Sequence, residues 1–253
     1  MSWAVRRRVT YIFGLVLVFV VVVILPILWS WYSALPPACP SGTARATGDS
    51  SGPCDYYIES ALQPHAVLWA RAFEVRPGVY DAVAYIQNPN PDAGVLTAPY
   101  QFSFYDDQNI LVTQKVGTAF IMPQSVTPIF ISDISSGNRS ITHTFFQLAE
   151  PLTWQKLKST VDGVSIDGKV ASQVSTTPQV SATARNTTPG DLVNVRFVAV
   201  VFDPNGNAIA ASQTALPLLK AQGSSQIVFT WPSPFPTAVG RIDILPVAPP
   251  TKL

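Results

Sequence analysis

The fold is decided by residues 192–203, which read LVNVRFVAVVFD. β-Branched and aromatic residues dominate this stretch, as they do in long central strands. The turn residues PNGN at 204–207 and a second strand-like stretch, AIAASQTAL at 208–216, follow directly. A long strand, a turn rich in Asn and Gly and a returning strand together predict a β-hairpin.

Short strand-like segments extend in both directions from this hairpin. Turn residues separate them at intervals of about 8 to 12 residues, which is typical of β-sandwiches. The chain has 23 Pro and 14 Gly to supply such turns. The predicted strands are 67–75, 79–88, 100–106, 110–116, 126–132, 141–147, 180–186, 192–203, 208–216, 225–231 and 240–247. We therefore predict an all-β fold.

The two groups of strands match each other in sequence. Asn88 and Asn186 each end a strand, and Asp106 and Asp203 end the next long strand 18 and 17 residues later. A pattern that repeats in this way predicts two tandem copies of one fold.

These copies define the expected domain boundaries. We predict a first β-sandwich over 55–149 and a second over 160–253. Between them, residues 150–159 have Pro early and Lys near the end, which favours a short helical connector.

A membrane span precedes the strands. Residues 9–29, VTYIFGLVLVFVVVVILPILW, carry no charge, and a helix of this length crosses about 30 Å of hydrocarbon. Arg6, Arg7 and Arg8 lie directly before it, whereas the next basic residue is Arg45. The positive-inside rule then predicts that residues 1–8 are cytoplasmic and that the rest of the chain is extracytoplasmic at the cell membrane.

A cleaved signal peptide is the alternative for this segment, because basic residues, an apolar run and small residues also occur there in that order. The run exceeds the usual length of about 7 to 15 residues. Cleavage after Ala34 would also put Tyr32 where a small residue is needed. We expect an uncleaved signal-anchor.

Residues 30–54 are rich in Pro, Ser and Gly and form the predicted stalk. They contain both cysteines of the chain, Cys39 and Cys54. In an oxidising extracytoplasmic compartment we predict a disulfide, worth about 3 kcal/mol in the chain-entropy model. A metal site, a catalytic thiol and two free thiols are the alternatives.

Residues 180–231, with an Asn-bearing loop, a central strand ending in Phe-Asp and a later LKAQG turn, resemble the FxLYD type of bacterial extracytoplasmic domain. That domain is related to the late-embryogenesis-abundant β-sandwich. The whole chain resembles single-span bacterial envelope proteins with a stalk and two such domains. Their stalks often read DCGGPC, whereas residues 49–54 here read DSSGPC with Ser50 in place of one Cys. The resemblance implies Ig/fibronectin III-like sandwiches and carries over no activity or site residue.

Few residues are suited to chemistry. A net charge of +1 gives no electrostatic case for a nucleic-acid partner, and two His and two Cys leave little for a metal site. His65 and His143 are expected at the surface, although a spatially assembled Ser-His-Asp site stays open as an alternative. Residues 203–207, DPNGN, favour a hairpin turn over a calcium loop, because no Glu follows at position twelve. We predict no catalytic, cofactor or metal residues.

The aromatic residues of the strands have two interpretations. Core packing is the expected one, and a carbohydrate-binding platform is the alternative. The residues concerned are Phe102, Phe104, Tyr105, Phe145, Phe146, Phe197, Phe202, Phe229 and Trp231.

Together these features predict a non-enzymatic, membrane-anchored binding, scaffold or adhesion protein of the cell envelope. One helix would bind the membrane, and sheet edges would bind a protein partner in the envelope by strand addition. An accessory subunit of a membrane enzyme, secretion or transport complex is the main alternative. An envelope hydrolase with an interdomain cleft is another.

Overall fold

The computed structural model describes residues 3–33, 37–49 and 51–253, so Ala34 and Ser50 lie outside the described residues. The chain forms two compact units, residues 1–54 and 55–253. Strands contain 53% of the residues and helices 11%, and the sheets are arranged as sandwiches. The predicted all-β fold after one N-terminal helix is confirmed.

The first unit begins with a continuous helix. It consists of α1 (Trp3–Phe19), a π-helical turn (Val20–Ile24) and α2 (Leu25–Ser33). The π turn precedes Pro26, which has no N–H to donate to the carbonyl one turn earlier. Tyr11–Tyr32 contains an 18-residue window with a mean hydropathy of 3.1, and none of that window is buried. The helix is therefore long and apolar enough to span a membrane. A two-residue strand, β1 (Thr43–Ala44), follows in the stalk.

The second unit contains all eleven predicted strands and several that the sequence did not indicate. A single 3-10 turn, Glu59–Ala61, lies near its start. Its strands are β2 (Tyr56–Tyr57), β3 (Ala66–Arg76), β4 (Val79–Asn88), β5 (Ala93–Tyr105), β6 (Leu111–Ile121), β7 (Ser125–Ser135), β8 (His143–Leu148), β9 (Gln155–Lys158), β10 (Val164–Ser172), β11 (Gln179–Asn186), β12 (Leu192–Phe202), β13 (Ala208–Leu219), β14 (Ser224–Thr230), β15 (Arg241–Val247) and β16 (Thr251–Lys252).

These strands form four sheets within the second unit. In sheet A, β5 pairs with β6, β8 and β9, and β9 also pairs with β2 and β16. Sheet B has the order β3-β4-β7, sheet C the order β13-β12-β15 and sheet D the order β10-β11-β14. All the pairings are antiparallel.

Sheets A and B enclose the first core. Phe102 and Phe104 of β5 point inward with their rings stacked 5.8 Å apart, and Phe146 of β8 packs against Phe102 at 4.7 Å. Ala82, Ala84 and Ile86 of β4 cover them from sheet B, together with Ile129 and Ile134 of β7. This sandwich buries aromatic residues on one side and small ones on the other.

Sheet B uses its second face to pack against sheet C. Trp69 of β3 lies 6.3 Å from Phe202 of β12. The edge strand β6 of sheet A also reaches sheet C, since Arg196 of β12 lies 5.8 Å from the centre of the Phe120 ring in β6. Alternate residues of β12 therefore face the first sandwich, and Val195, Phe197, Ala199 and Val201 face sheet D. The four sheets stack in the order A, B, C, D. From residue 197 to residue 202 both faces of β12 are buried, which explains the unbroken apolar run of these six residues.

The helix predicted for the connector 150–159 is wrong. Residues Gln155–Lys158 form β9, which inserts into sheet A, and the Glu150–Pro151 peptide bond before it is cis. The amides of Lys156 and Leu157 donate to Asp55 O and Asp92 O at 2.7 and 2.8 Å. So short a helix is unfavourable in isolation, and the tertiary pairing decides its conformation. The C-terminal β16 also pairs with β9, so the end of the chain returns to sheet A rather than staying with the second group of strands.

Two buried asparagines hold equivalent turns in the two sandwiches. Asn88 Nδ2 donates to Ala93 O and Met122 O at 2.7 and 2.9 Å, and its Oδ1 accepts from the Asn90 amide at 3.1 Å. Asn186 Nδ2 donates to Gly190 O and Leu219 O at 2.8 and 3.3 Å, and its Oδ1 accepts from the Thr188 amide at 2.9 Å. Each amide thus links its own strand end to the loop that follows and to the end of a later strand.

Candidate functional site

The predicted disulfide is confirmed: Cys39 and Cys54 are bonded and close the stalk into a loop. Arg45 lies within this loop and donates from Nε to Gly52 O at 2.8 Å and from Nη2 to Pro37 O. Asp49 Oδ1 accepts from the amides of Ser51 and Gly52 at 2.9 and 2.7 Å. These two backbone hydrogen bonds lower the pKa of Asp49. The described stalk residues 37–49 and 51–54 are therefore held together by hydrogen bonds and the disulfide.

The arginines predicted to set the topology, Arg6, Arg7 and Arg8, belong to α1. Their side chains lie outside the part of the chain that the structure describes, so the orientation of the helix stays a prediction.

The hairpin turns at Asp106 and Asp203 use their carboxylates to hold the turn. Asp203 Oδ1 accepts from the amides of Asn205 and Asn207 at 2.9 and 2.8 Å, while Oδ2 accepts from Asn207 Nδ2 at 3.0 Å. The side-chain and backbone hydrogen bonds from Asn207 lower the pKa of Asp203. Both oxygens accept N–H donors within the turn, and β12 and β13 pair on either side of it, so the hairpin interpretation of 203–207 is confirmed.

Asp106 has the same role in the first sandwich. Its Oδ1 accepts from the amides of Gln108 and Ile110 at 3.0 and 2.8 Å, and its Oδ2 pairs with the Arg139 guanidinium. The hydrogen bond from Arg139 is the main cause of the lowered pKa of Asp106.

Among residues 3–33, 37–49 and 51–253, no three His, Cys, Asp or Glu side chains are grouped to hold a metal ion.

The two histidines lie on different elements. His65 precedes β3, with Nε2 3.7 Å from Glu150 Oε1 and its ring 5.7 Å from that of Trp154. His143 begins β8 and is exposed. His65 is thus half-buried rather than fully at the surface as predicted.

Most of the aromatic residues predicted for the core are buried there, but Phe145 and Tyr105 are not. Phe145 of β8 is 55% exposed, and Tyr105 of the paired strand β5 is half-buried. The buried residues are Phe102, Phe104, Phe146, Phe197, Phe202, Phe229 and Trp231.

A groove of about 860 Å³ lies beside β3 in the second unit. β3 pairs only with β4 in sheet B, so its other side is a sheet edge within the described residues. Residues 69–72 of β3 line the groove, as do residues 141–144 before and within β8. The second sandwich contributes Phe202, residues 206–208 of the β12–β13 turn and Arg241 of β15. An unpaired strand edge therefore faces a groove between the two sandwiches.

Aromatic and cationic side chains dominate the middle of this groove. Trp69 is half-buried and lies 4.5 Å from Tyr85, whose buried hydroxyl has no hydrogen-bond partner in the described part of the chain. The guanidinium of Arg241 lies 4.1 Å from the centre of the Phe202 ring, and its Nε is 3.1 Å from Asp243 Oδ1. Burial raises the pKa of the Tyr85 phenol, so this group stays neutral. The described lining residues include Arg71 and Arg241 but no Asp or Glu.

The sequence did not point to Trp69, Arg71, Phe202 or Arg241 as members of one site. The sequence offers one signal for the edge: Trp69 lies in the middle of β3, the first strand of sheet B. The four residues come together only because sheets B and C pack face to face, which no local pattern indicates.

No protein-family model matches the chain, and no curated protein matches it. Among solved structures, the red sea bream transglutaminase aligns with 72% of this chain at 12% identity and a TM-score of 0.21. The chain spans only 29% of the length of that protein. A likeness this weak carries no argument about fold or activity.

Proposed function

We propose that this chain is a non-enzymatic, membrane-anchored protein of the cell envelope that binds an extended acidic segment of a protein partner. The N-terminal helix would be an uncleaved signal-anchor with residues 1–8 in the cytoplasm. The β-sheet unit, residues 55–253, would then be displayed outside the cell membrane. The anchor would confine the binding groove to the membrane surface and raise its effective concentration near other envelope proteins.

The orientation is supported by the charges that flank the helix. Arg6, Arg7 and Arg8 precede it, and Arg45 is the first basic residue after it. The disulfide between Cys39 and Cys54 supports the same orientation, because such bonds persist in oxidising extracytoplasmic compartments.

The two sandwiches are proposed to be tandem copies of one Ig/fibronectin III-like unit of the FxLYD type. The matching hydrogen bonds of Asn88 and Asn186 support this, as do the matching turns at Asp106 and Asp203. A duplicated unit also accounts for two similar cores on either side of the packed sheets B and C.

The observation that carries the binding function is the unpaired edge of β3 beside the groove. An extended segment can add to such an edge as an extra strand, with main-chain hydrogen bonds supplying affinity and side-chain pockets supplying specificity. Soluble proteins usually cover or shorten their edge strands, because a long free edge promotes aggregation. β3 has 11 residues, and the charged residues along it oppose edge-to-edge aggregation. They are therefore compatible with an edge that binds one selected partner.

Charge complementarity selects an acidic occupant. Arg71 is exposed and forms no ion pair with a described residue, and Arg241 has its Nε beside Asp243 but lines the groove. Alternate residues of an added strand point to the same side. Carboxylates at every second position could therefore approach both guanidinium groups.

Peptide binding to the full-length chain in detergent tests this proposal. We expect a blocked octapeptide with the sequence (Glu-Thr)4 to bind and (Lys-Thr)4 not to bind. Arg71→Ala combined with Arg241→Ala should weaken (Glu-Thr)4 binding about tenfold or more, as removal of two charged contacts usually does. Arg185→Ala, an exposed arginine of β11 in sheet D, is the matched control and should have no effect.

Equal binding of the two peptides would contradict the charge argument. Equal weakening by the Arg185 variant would contradict the location. No binding of either peptide at millimolar concentration would overturn the proposed groove function.

A further inference from the structure

The outer face of sheet A carries an ordered grid of uncharged side chains. Across three neighbouring strands, Gln101 of β5 pairs with Gln147 of β8 and Val116 of β6, and Ser103 pairs with Phe145 and Gln114. Their neighbours Phe102 and Phe146 point into the core. Because successive residues of a strand point to opposite faces, these six side chains point away from the core.

Hydrogen bonds within the grid fix the orientation of two amide groups. Ser103 is buried, and its Oγ accepts from Gln101 Nε2 and from Gln114 Nε2, each at 3.1 Å. With both amide nitrogens turned toward Ser103, the carbonyl oxygens of these glutamines remain available as acceptors. Ordered acceptors lose less conformational entropy when a ligand binds.

An exposed ring stands on the other side of Ser103. Phe145 is 55% exposed although it occupies the central row of the face. More than half of this side chain is therefore apolar surface that is open to solvent. It lies about 10 Å from Gln114, because the two residues are separated by two strand spacings.

A shallow depression of about 380 Å³ continues the face beyond this row. Gln101, Gln147 and Val116 line it, together with Pro99, Thr118 and Ala149. Its volume lies at the lower end of the range of about 300 to 1,000 Å³ that small-ligand sites occupy. Gly117 forms part of the lining, and a Cβ there would lie 2.5 Å from the Tyr100 hydroxyl, so a larger residue would require the Tyr100 ring to shift.

The chemistry of this face fits a neutral ligand rich in hydroxyl groups. None of the six grid residues carries a formal charge, whereas the outer face of sheet D presents Asp167 and Arg185. An aromatic ring beside several amides supplies both an apolar stacking surface and hydrogen-bonding groups. An acidic or basic polymer would gain no ion pair there.

We propose that the outer face of sheet A binds a neutral saccharide chain. Phe145 stacks against a sugar ring, and Gln101, Gln114 and Gln147 bind its hydroxyl groups. This site is separate from the groove beside β3, since none of these four residues lines that groove.

The test is binding of the full-length chain, held in lipid nanodiscs, to immobilised hexasaccharides. The probes are cellohexaose, chitohexaose and maltohexaose, with hexagalacturonate as an acidic contrast. We expect at least one neutral probe to bind more tightly than the acidic one. Phe145→Ala should weaken that binding about tenfold, equivalent to a loss of about 1.4 kcal/mol, and Gln114→Ala about threefold, as expected for one neutral hydrogen bond.

Two further variants separate binding from folding. Phe145→Trp keeps an aromatic ring and should retain binding. Val170→Ala, on the outer face of sheet D where this valine is 57% exposed, should change nothing. The proposal is overturned if none of the three neutral probes binds, if hexagalacturonate binds as tightly as they do, or if Phe145→Ala binds like the unmodified chain.

Discussion

The buried amide of Asn186 provides a quantitative test of how the sandwiches are held together. Asn186→Ala removes the hydrogen bonds that the two N–H groups of Nδ2 share among Gly190 O, Leu219 O and Lys220 O, and those that Oδ1 accepts from the amide and hydroxyl of Thr188. With a net value of about 1 kcal/mol each, three to four lost hydrogen bonds should lower the free energy of unfolding by about 3 to 4 kcal/mol. That is a large share of a typical total of about 5 to 15 kcal/mol.

Urea unfolding of the full-length chain in detergent, followed by tryptophan fluorescence, measures this loss. With a slope of about 3 kcal/mol per M, the midpoint should fall by about 1 M. Asn88→Ala should produce a similar shift in the same transition, because the shared core between sheets B and C couples the two sandwiches. Gln226→Ala, an exposed amide on β14, is the control and should leave the midpoint unchanged.

A midpoint shift for Asn186→Ala no larger than that for Gln226→Ala would refute the structural role of the buried amide. Two separate unfolding transitions, each sensitive to only one of Asn88 and Asn186, would refute the coupling.

Three other predictions concern the stalk, the orientation and a turn. A maleimide reagent should modify neither Cys39 nor Cys54 until a reductant is added, and labelling of the unreduced chain would contradict the disulfide. Replacing Arg6, Arg7 and Arg8 with Glu should lower the fraction of chains whose β-sheet unit is digested by protease added outside intact cells. An unchanged fraction would contradict the orientation. The pKa of Asp106 is lowered from 3.8, chiefly by its hydrogen bond from Arg139. The ionised carboxylate therefore stabilises the β5–β6 hairpin above pH 3.8. This stabilisation is lost as the pH falls through the lowered pKa of the folded chain. Asp106→Asn should abolish the change that low pH causes in the NMR chemical shifts of the hairpin amides. If that change persists in the variant, Asp106 is not the group that titrates.

The parts of the fold with strong local patterns could be predicted from the sequence. The strand at Leu192–Phe202 is dominated by β-branched and aromatic residues, and its observed bounds differ from the prediction by one residue. β4 was predicted with the observed bounds, Val79–Asn88. In both strands, burial requires apolar residues at most positions, so the sequence retains a clear record of the structure.

Strands with weak patterns were missed. β10, Val164–Ser172, is an edge strand with mostly exposed residues, and its register with β11 shifts between Asp167 and Val170. Gly168 lies in that shift with a positive φ of 62°. β9 has only four residues, and its pairing partners lie far away in the sequence. A local pattern does not record pairing of this kind.

The two proposed sites differ in how far they could have been foreseen. Phe145 and Phe146 are adjacent in a strand, so one of them must point away from the core, and this signal was available. The groove beside β3 could not be foreseen, because Trp69 and Arg241 belong to different sandwiches and meet only through the packing of sheets B and C.

Hydrogen exchange of the β3 amides tests the central claim most directly. In the free chain, the amides on the unpaired side of residues 69–72 should exchange rapidly, because they donate to no neighbouring strand. Addition of (Glu-Thr)4 should slow their exchange, whereas (Lys-Thr)4 should not. The claim is contradicted if (Glu-Thr)4 leaves the exchange of these amides unchanged, or if the protection it causes lies in another sheet.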